Sequence, residues 1–433
     1  MAKVFLNRNR KKRLELGHPW VYKSEIDRVE GALQPGDIVD VVNHSGHFLA
    51  KGMINPNSQI TVRVLTYNPT EEIDESFFER RIRDAWEYRL RLLEDTNACR
   101  VIYGEADFLP GIVVDKFADV LVIQILSLGM EVRRNELIHA LIKVLEPKGI
   151  YERSDVPVRE REGLEQRTGL VWGEAPREVE IVENGLRYVV DIVEGQKTGF
   201  FFDQRENRAA IAPLMTGWGA THGITLQPTG EEDEQGELIF RPMDKRGKVI
   251  KNPFWAGAEV LECFSHTGSF TLNACKHGAK KVTCLDISEH AIETAKRNVT
   301  MNGFLHRVNF VVANAFDYLR EQVQEGNLWD VVILDPPAFA KTKGAVQGAC
   351  RGYKDINLNG MKLVRDGGFL VTASCSYHMK PELFKEVILD AAIDAKKILR
   401  LVHWGGAGKD HPEIHGVEEG HYLKFAIFEV RSR

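Results

Sequence analysis

The sequence predicts an α/β chain. Its C-terminal half reads as a doubly wound, mostly parallel sheet, preceded by a small all-β domain and a small α+β domain. Three observations carry this. From Val179 onward, β-rich runs and helical segments alternate, the pattern of strands joined by crossover helices. Positions 1–70 hold short β-rich runs broken by turn residues. From Glu71, apolar residues recur at helical spacing. A chain of 433 residues exceeds one ordinary core, and a length prior of about three domains matches a division into 1–70, 71–178 and 179–433.

The elements follow in order. In the first domain, Val21-Tyr22, Ile38–Val42, Phe48–Ala50 and Ile60–Val64 read as strands of a compact barrel, with Pro35-Gly36-Asp37 and Asn55-Pro56-Asn57 as turns. In the second, Phe77, Phe78, Ile82, Trp86 and Leu90 share one helix face, with Arg80, Arg81, Arg83 and Arg89 off it. Residues 108–117 and 120–125 read as two strands turning at Ala118-Asp119, followed by a helix near 131–145 and a strand near 149–152. In the third, strands are expected at 259–262, 281–286, 308–312, 330–335, 368–373 and 422–430. Helices are expected near 268–277, 288–301, 315–324, 352–364 and 380–397. The stretch 214–257, with acidic Glu231–Glu234 followed by Arg241, Lys245, Arg246, Lys248 and Lys251, reads as a surface insertion, a β-hairpin by its turns.

Composition narrows the class. The chain is 43% apolar and 27% charged, as in soluble globular proteins, and no apolar run is long enough for a membrane span. The basic start has no apolar signal core, and none of the six cysteines forms a Cys-x-x-Cys pair, so neither a disulfide framework nor a zinc site is expected. The cytoplasm is the expected compartment. Net charge is −5, yet Lys3, Arg8, Arg10, Lys11, Lys12 and Arg13 precede the first acidic residue, Glu15. Such a block can neutralise phosphates, or simply solvate a terminal strand.

The chemistry concentrates where the predicted strands end, which is where open α/β sheets bind ligands. The turn Cys263-Phe264-Ser265-His266-Thr267-Gly268 holds a single glycine where nucleotide loops carry three, with Phe264 and His266 in the other two places. Asp286, followed by Ile287, can accept hydrogen bonds from ribose hydroxyls. Asn314-Ala315 ends the third strand, where a polar side chain can meet an adenine edge. Each of these is equally a turn or capping residue. Their order on successive strands, without a pyrophosphate-sized glycine loop, suits S-adenosylmethionine better than NAD. Asp335-Pro336-Pro337 ends the fourth strand. The prolines fix φ and remove two donors, giving a rigid edge on which Asp335 can hydrogen-bond a base. Cys375 follows the fifth strand between two serines. Methylation of a pyrimidine at C5 needs such a nucleophile, because thiolate addition at C6 makes C5 enamine-like. Most free cysteines are small buried hydrophobes, and Cys263, Cys275 and Cys284 are read so. In the helix-leading segment after Asp335, Arg351 and Lys354 can hold phosphates and Tyr353 can stack on a base. Asp410-His411-Pro412 and His415 read as a polar turn at least as readily as a site.

Taken together, Lys197–Arg208, Cys263–Gly268, Asp335–Phe339, Ala349–Asn357, Ser374-Cys375-Ser376 and Asp410–Pro412 resemble, in the same order, the bacterial large-subunit rRNA cytosine-5 methyltransferases. The resemblance covers nearly the whole chain. It implies an N-terminal PUA domain that binds RNA, a central α/β domain and a Rossmann-like class I methyltransferase domain using S-adenosylmethionine. Gly17–Tyr22, with Trp20, matches the PUA segment. Cys375 would be the nucleophile and Asp335 would orient the base. Phe201, Asp203, Gln204 and Arg205 would lie over the methionine end of the cofactor. Large-subunit rRNA is the expected partner, and a homodimer is expected by analogy with relatives. Asn314 departs from the Asp that relatives often carry, and 214–257 lengthens a connection that is short in many of them. A related branch methylates guanine and lacks the cysteine, so Cys375 favours cytosine. A non-catalytic RNA-binding assembly factor is the alternative from another class.

Overall fold

The computed structural model describes residues 1–217, 223–232, 236, 238–250 and 256–433. Asp233, Glu234 and Lys251, singled out in the insertion, lie outside the described residues. The chain divides into two compact units, Met1–Asp203 with Gly408–Gly420, and Gln204–Ala407 with His421–Arg433. Among the described residues no helix is long and apolar enough to cross a membrane.

The first unit opens with β1 (Ala2–Leu6), β2 (Trp20–Tyr22), β3 (Ile26–Glu30), β4 (Ile38–Val42), β5 (Phe48–Ile54) and β6 (Ile60–Thr66), in the order β2-β6-β5-β4-β1-β3. Alternation along these strands turns Val4, Leu6, Val39, Val41, Val62 and Val64 into one core. β1 and β3 are additions to the sequence reading. β3 leaves four of its five residues exposed, so its run lacks the apolar alternation that marks a strand.

Next come α1 (Glu75–Leu92), β7 (Ala98–Tyr103), β8 (Ile112–Phe117), β9 (Val120–Ile125), α2 (Leu128–Val132), α3 (Arg134–Leu145), β10 (Gly149–Ser154), α4 (Val158–Arg161) and β11 (Arg167–Gly173). The strands pair in the order β11-β10-β9-β8-β7, and β12 (Glu178–Glu183) and β13 (Leu186–Asp191) form a separate antiparallel pair. The Asp74 carboxylate starts α1 by accepting from the Phe77 N–H at 2.9 Å. Phe77, Phe78 and Ile82 of α1 then pack with Leu137 and Leu141 of α3.

One expectation fails in α1. Leu90 is 60% exposed and Arg89 only 1%. The buried stripe runs through Phe78, Ile82, Ala85 and Arg89, so helical geometry places position 89, not 90, on the inner face. A guanidinium is tolerated there because its donors are occupied. Both carboxylate oxygens of Asp107, the Arg100 carbonyl at 2.9 Å and the Asp410 carbonyl at 2.8 Å accept from it. Asp410 also accepts from the Arg100 N–H at 3.0 Å and bonds His411 Nδ1 at 2.8 Å. The polar turn at 410–412 is thus a buried structural latch of the first unit.

The second unit holds α5 (Arg205–Ala210), α6 (Ala212–Met215) and an antiparallel hairpin, β14 (Thr225–Glu232) with β15 (Leu238–Met243). Its main sheet comprises β16 (Glu259–Cys263), α7 (Ser269–Lys276), β17 (Lys281–Asp286), α8 (Glu289–Met301), β18 (Val308–Val312), α9 (Ala315–Glu325), β19 (Trp329–Leu334), α10 (Val346–Lys362), β20 (Val364–Ser374), α11 (Pro381–Asp394), β21 (Lys397–Gly405) and β22 (Lys424–Ser432). The order is β18-β17-β16-β19-β20-β22-β21, parallel except that β22 runs against both neighbours. The continuous apolar runs serve both faces. Leu261, Leu285, Val332 and Leu370 line one core, while Val260, Val282, Val331 and Val371 line the other. The helix expected to reach residue 397 stops at Asp394, Lys396 turns left-handed at φ 56°, and β21 follows as an edge strand.

Candidate active site

Strand order reverses between β16 and β19, whose last residues Cys263 and Leu334 pair directly. A crevice at the carboxyl ends of the strands is the expected ligand site there. The turn after β16 explains why a glycine-poor segment can serve. Phe264 at φ 65°, His266 at φ 48° and Gly268 at φ 78° are all left-handed. The backbone therefore takes the course of a three-glycine loop although two of the three places carry side chains that disfavour it. Hydrogen bonds hold it: Ser265 N–H to Leu285 O at 3.0 Å, His266 N–H to the Asp286 carboxylate at 2.8 Å, and Gly268 N–H to Ser265 O at 2.8 Å. Thr267 O accepts from Asn298 at 3.1 Å. At Gly268 a Cβ would also meet the Ala295 methyl at 3.0 Å.

The half-buried Asp286 receives one N–H on each oxygen, from His266 and, at 2.9 Å, from Ser288. Each oxygen keeps a lone pair for a diol. Beside it Ile287 is 69% exposed, an apolar face at a strand end of the kind a purine covers. Asn314 is exposed and its side-chain oxygen caps α9 through the Phe316 N–H at 2.9 Å, with Ala315 buried behind it. These groups fit an adenosine: acceptors for a ribose diol, an apolar surface and a polar edge.

Asp335 and Cys375 converge from neighbouring strands. Asp335 accepts from Gln204 Nε2 at 3.0 Å, and Gln204 is itself held by Asn207 at 2.7 Å. The Cys375 thiol points to the Pro336 carbonyl at 3.9 Å, joining the two motifs. Pro336 is buried and Pro337 exposed. The serines around Cys375 are clamped. Ser374 Oγ donates to the Tyr353 hydroxyl at 2.9 Å, while Ser376 Oγ lies 3.0 Å from that hydroxyl and accepts from the Ala340 N–H at 3.1 Å.

Other expected residues stand elsewhere. Tyr353 is fully buried among Phe339, Phe384 and the two serines, so it supports the cysteine turn and does not stack on a base. Its motif starts α10, whose amphipathic spacing turns position 353 inward. Lys354 is engaged by Asp394 at 2.8 Å, whereas Arg351 is exposed. In the first unit Lys12 is exposed, Arg13 faces Glu25 at 3.6 Å and lies over the Tyr22 ring, and Trp20 donates its indole N–H to Glu105 at 2.8 Å. Phe201 and Asp203 also belong to that unit, with Asp203 3.3 Å from Lys197. Arg205 is buried in the second.

Sequence reasoning passed over three residues. Glu262 is fully buried at the end of β16 and accepts from the Thr271 N–H at 2.7 Å. Burial, with the Asp335 and Asp286 charges adding, pushes its carboxyl up to about 8 against the hydrogen bonds from Thr271. Asn207 holds Gln204 and the Gly406 carbonyl. Lys424 is 2% exposed on β22 and donates to Ser376 O at 2.6 Å. The signal for Lys424 was present: one lysine inside the apolar run Leu423–Phe428.

With the site assembled, comparison with known proteins decides its family. A PUA-like domain family matches residues 4–67, and the family described as conserved hypothetical protein 95 matches 236–385. Ribosomal RNA large subunit methyltransferase I of Pseudoalteromonas translucida is 40% identical over 431 residues, 99% of each chain. The protein of the same name from Vibrio cholerae is 41% identical over 427 residues, 97% of each chain. The chain belongs to the ribosomal RNA large subunit methyltransferase I family. A solved structure described as a methyltransferase complexed with SAH superposes on this member of the family with a TM-score of 0.77 at 19% identity, covering 99% of this chain and 100% of that one. The fold is therefore that of an α/β methyltransferase with an N-terminal PUA-like domain.

Proposed function

We propose that the chain methylates C5 of a cytosine in large-subunit ribosomal RNA through a covalent adduct between Cys375 and C6 of the base. As a member of its family it is an S-adenosylmethionine-dependent methyltransferase of large-subunit ribosomal RNA. The choice of C5 rests on one observation. A half-buried thiol stands at the end of β20, tied through Pro336 to the Asp335 motif, in a turn that Tyr353 holds by both flanking serines. Methylation of guanine or of an exocyclic amine needs no nucleophile there.

The residues divide the work. Asp335, oriented by the hydrogen bond from the Gln204 amide, accepts from the cytosine amino group and orients the ring. The base must leave its stack to reach this depth, which costs a few kcal/mol unless it is unpaired. The Cys375 thiolate adds to C6, and the electron pair moves to C5. S-adenosylmethionine supplies an electrophilic sulfonium methyl at that carbon. A base then takes the C5 proton, and the C5–H electron pair re-forms the C5–C6 double bond as the C6–S bond breaks and returns the thiolate. Asp286 and Ile287 hold the adenosine.

The test is a trapping assay with rRNA carrying 5-fluorocytosine, in which the C5 fluorine blocks the last step. Wild type is expected to give a denaturant-resistant protein–RNA adduct, and Cys375→Ala none. Methyl transfer retained in Cys375→Ala would sink the covalent reading and move the target to guanine.

A further inference from the structure

Lys424 opens β22 and pairs in register with Ser374, the residue before Cys375. The strand continues as Phe425, Ala426 and Ile427, all buried, and Lys424 is buried with them. Its ammonium donates to Ser376 O at 2.6 Å and to Tyr422 O at 2.7 Å. Two carbonyls satisfy two donors but do not neutralise the charge. A buried ammonium is costly without an anion. Among the described residues no carboxylate pairs with it, and the ionisable group its two strand contacts bracket is the Cys375 thiol, between Ser374, its register partner, and Ser376, whose carbonyl it holds. Burial lowers the lysine to about 8, Cys375 opposes that shift, and the neighbouring Lys380 adds to it. Lys380 precedes α11 and lies over the Tyr377 ring at 4.7 Å. Tyr353, raised by burial, bonds from α10 to both serines that flank the thiol.

We infer that Lys424 is a positioning residue for the covalent step. Its ammonium fixes the Ser376 carbonyl, and with it the turn that carries Cys375, and it is the cation against which the Cys375 thiolate forms. The inference rests on Cys375 being the nucleophile and adds the group that makes it one. The thiolate stands beside the ammonium before attack. Its charge passes into the ring as the C6–S bond forms, and the ion pair is restored when that bond breaks. Lys424 transfers no proton in this scheme and touches no substrate atom.

The experiment is the pH dependence of iodoacetamide alkylation of Cys375 in the full chain, read by peptide mass. Wild type, Lys424→Met and Lys424→Arg are compared. In Lys424→Met the rate at pH 7 is expected to fall at least about tenfold, the change in thiolate fraction for one pKa unit. Lys424→Arg restores most of it. Cys350, half-buried on α10, is alkylated equally in all three and serves as the internal reference. Equal Cys375 rates in wild type and Lys424→Met would overturn the inference. If Lys424→Met loses its melting transition, wild type decides: a Cys375 midpoint at or above the ordinary thiol value of about 8.5 overturns the inference, and one below it supports it. The trapping assay separates the two readings. An adduct with Lys424-independent alkylation removes the role of Lys424 alone. Lys424-dependent alkylation without an adduct keeps the ion pair and removes the covalent step.

Discussion

The Tyr353 hydroxyl shows how a site can depend on an atom that never meets substrate. It accepts from Ser374 and bonds Ser376, so both neighbours of Cys375 hang on one oxygen. Tyr353→Phe leaves two buried serine hydroxyls short of a partner, at about 1–3 kcal/mol. Steady-state assays should show kcat reduced about tenfold with the KM for RNA nearly unchanged, because what is lost is the aim of the thiol. A KM effect alone would contradict the assignment. Glu262 carries a prediction in pH. Its folded-state carboxyl titrates near 8, against an ordinary value of 4.5, chiefly because it is buried. The folded state thus holds the proton more tightly. The stabilisation is complete below the ordinary value and is lost as pH rises through about 8. Urea midpoints taken from pH 5 to 8 should fall, by at most about 1.4 kcal/mol per pH unit from this group. Glu262→Gln should flatten that fall, and an unchanged slope would reject the assignment.

At the scale of elements, the loop between β16 and α7 separates what the sequence discloses from what only the backbone discloses. Counting glycines makes it a poor nucleotide turn, with Gly268 alone in place. The dihedrals make it a good one, since Phe264 and His266 accept left-handed conformations that glycine would take freely. The comparison of His266→Gly with His266→Ala isolates this strain, because both remove the imidazole. The glycine variant should be more stable by about 1 kcal/mol in urea denaturation, whereas at an ordinary loop position alanine would win. The strands and helices around this loop were legible because the central sheet is buried on both faces and reads as continuous apolar runs. β21 and β3 were not, because these edge strands bury none of their residues and lose that pattern. Tyr353 was misread for a related reason. Its motif looks like an exposed helix start, yet the helix begins earlier, at Val346, and its amphipathic spacing turns position 353 inward.

At the scale of the whole molecule, the division into two units follows contacts that join distant parts of the chain. Residues 408–420 belong with the first unit although more than two hundred residues separate them from it in sequence. Their anchorage is Asp410, whose carbonyl takes a hydrogen bond from Arg89 and whose carboxylate takes one from the Arg100 N–H. Neither partner advertises this in sequence. Arg89 looks like one more surface arginine on a charged helix, and Asp410 like a turn residue, because burial of a paired charge leaves no periodic trace. The energetics are nonetheless lopsided. With its guanidinium in place, the Arg89–Asp107 pair is satisfied on every side. Without it, Asp107 is left as a buried carboxylate that keeps only the Tyr103 N–H, at 2.6 Å, of the donors described here. Removing one partner of such a pair costs about 3–5 kcal/mol. Arg89→Met, close in length and apolar like the rest of the stripe, should therefore destabilise the first unit by that amount. The double variant Arg89→Met with Asp107→Asn should recover part of it, because the stranded charge is gone. Calorimetry on the full chain resolves the claim: the transition of the first unit moves down while that of the second holds, and a double variant no more stable than the single one would show that packing, rather than the uncompensated charge, sets the cost.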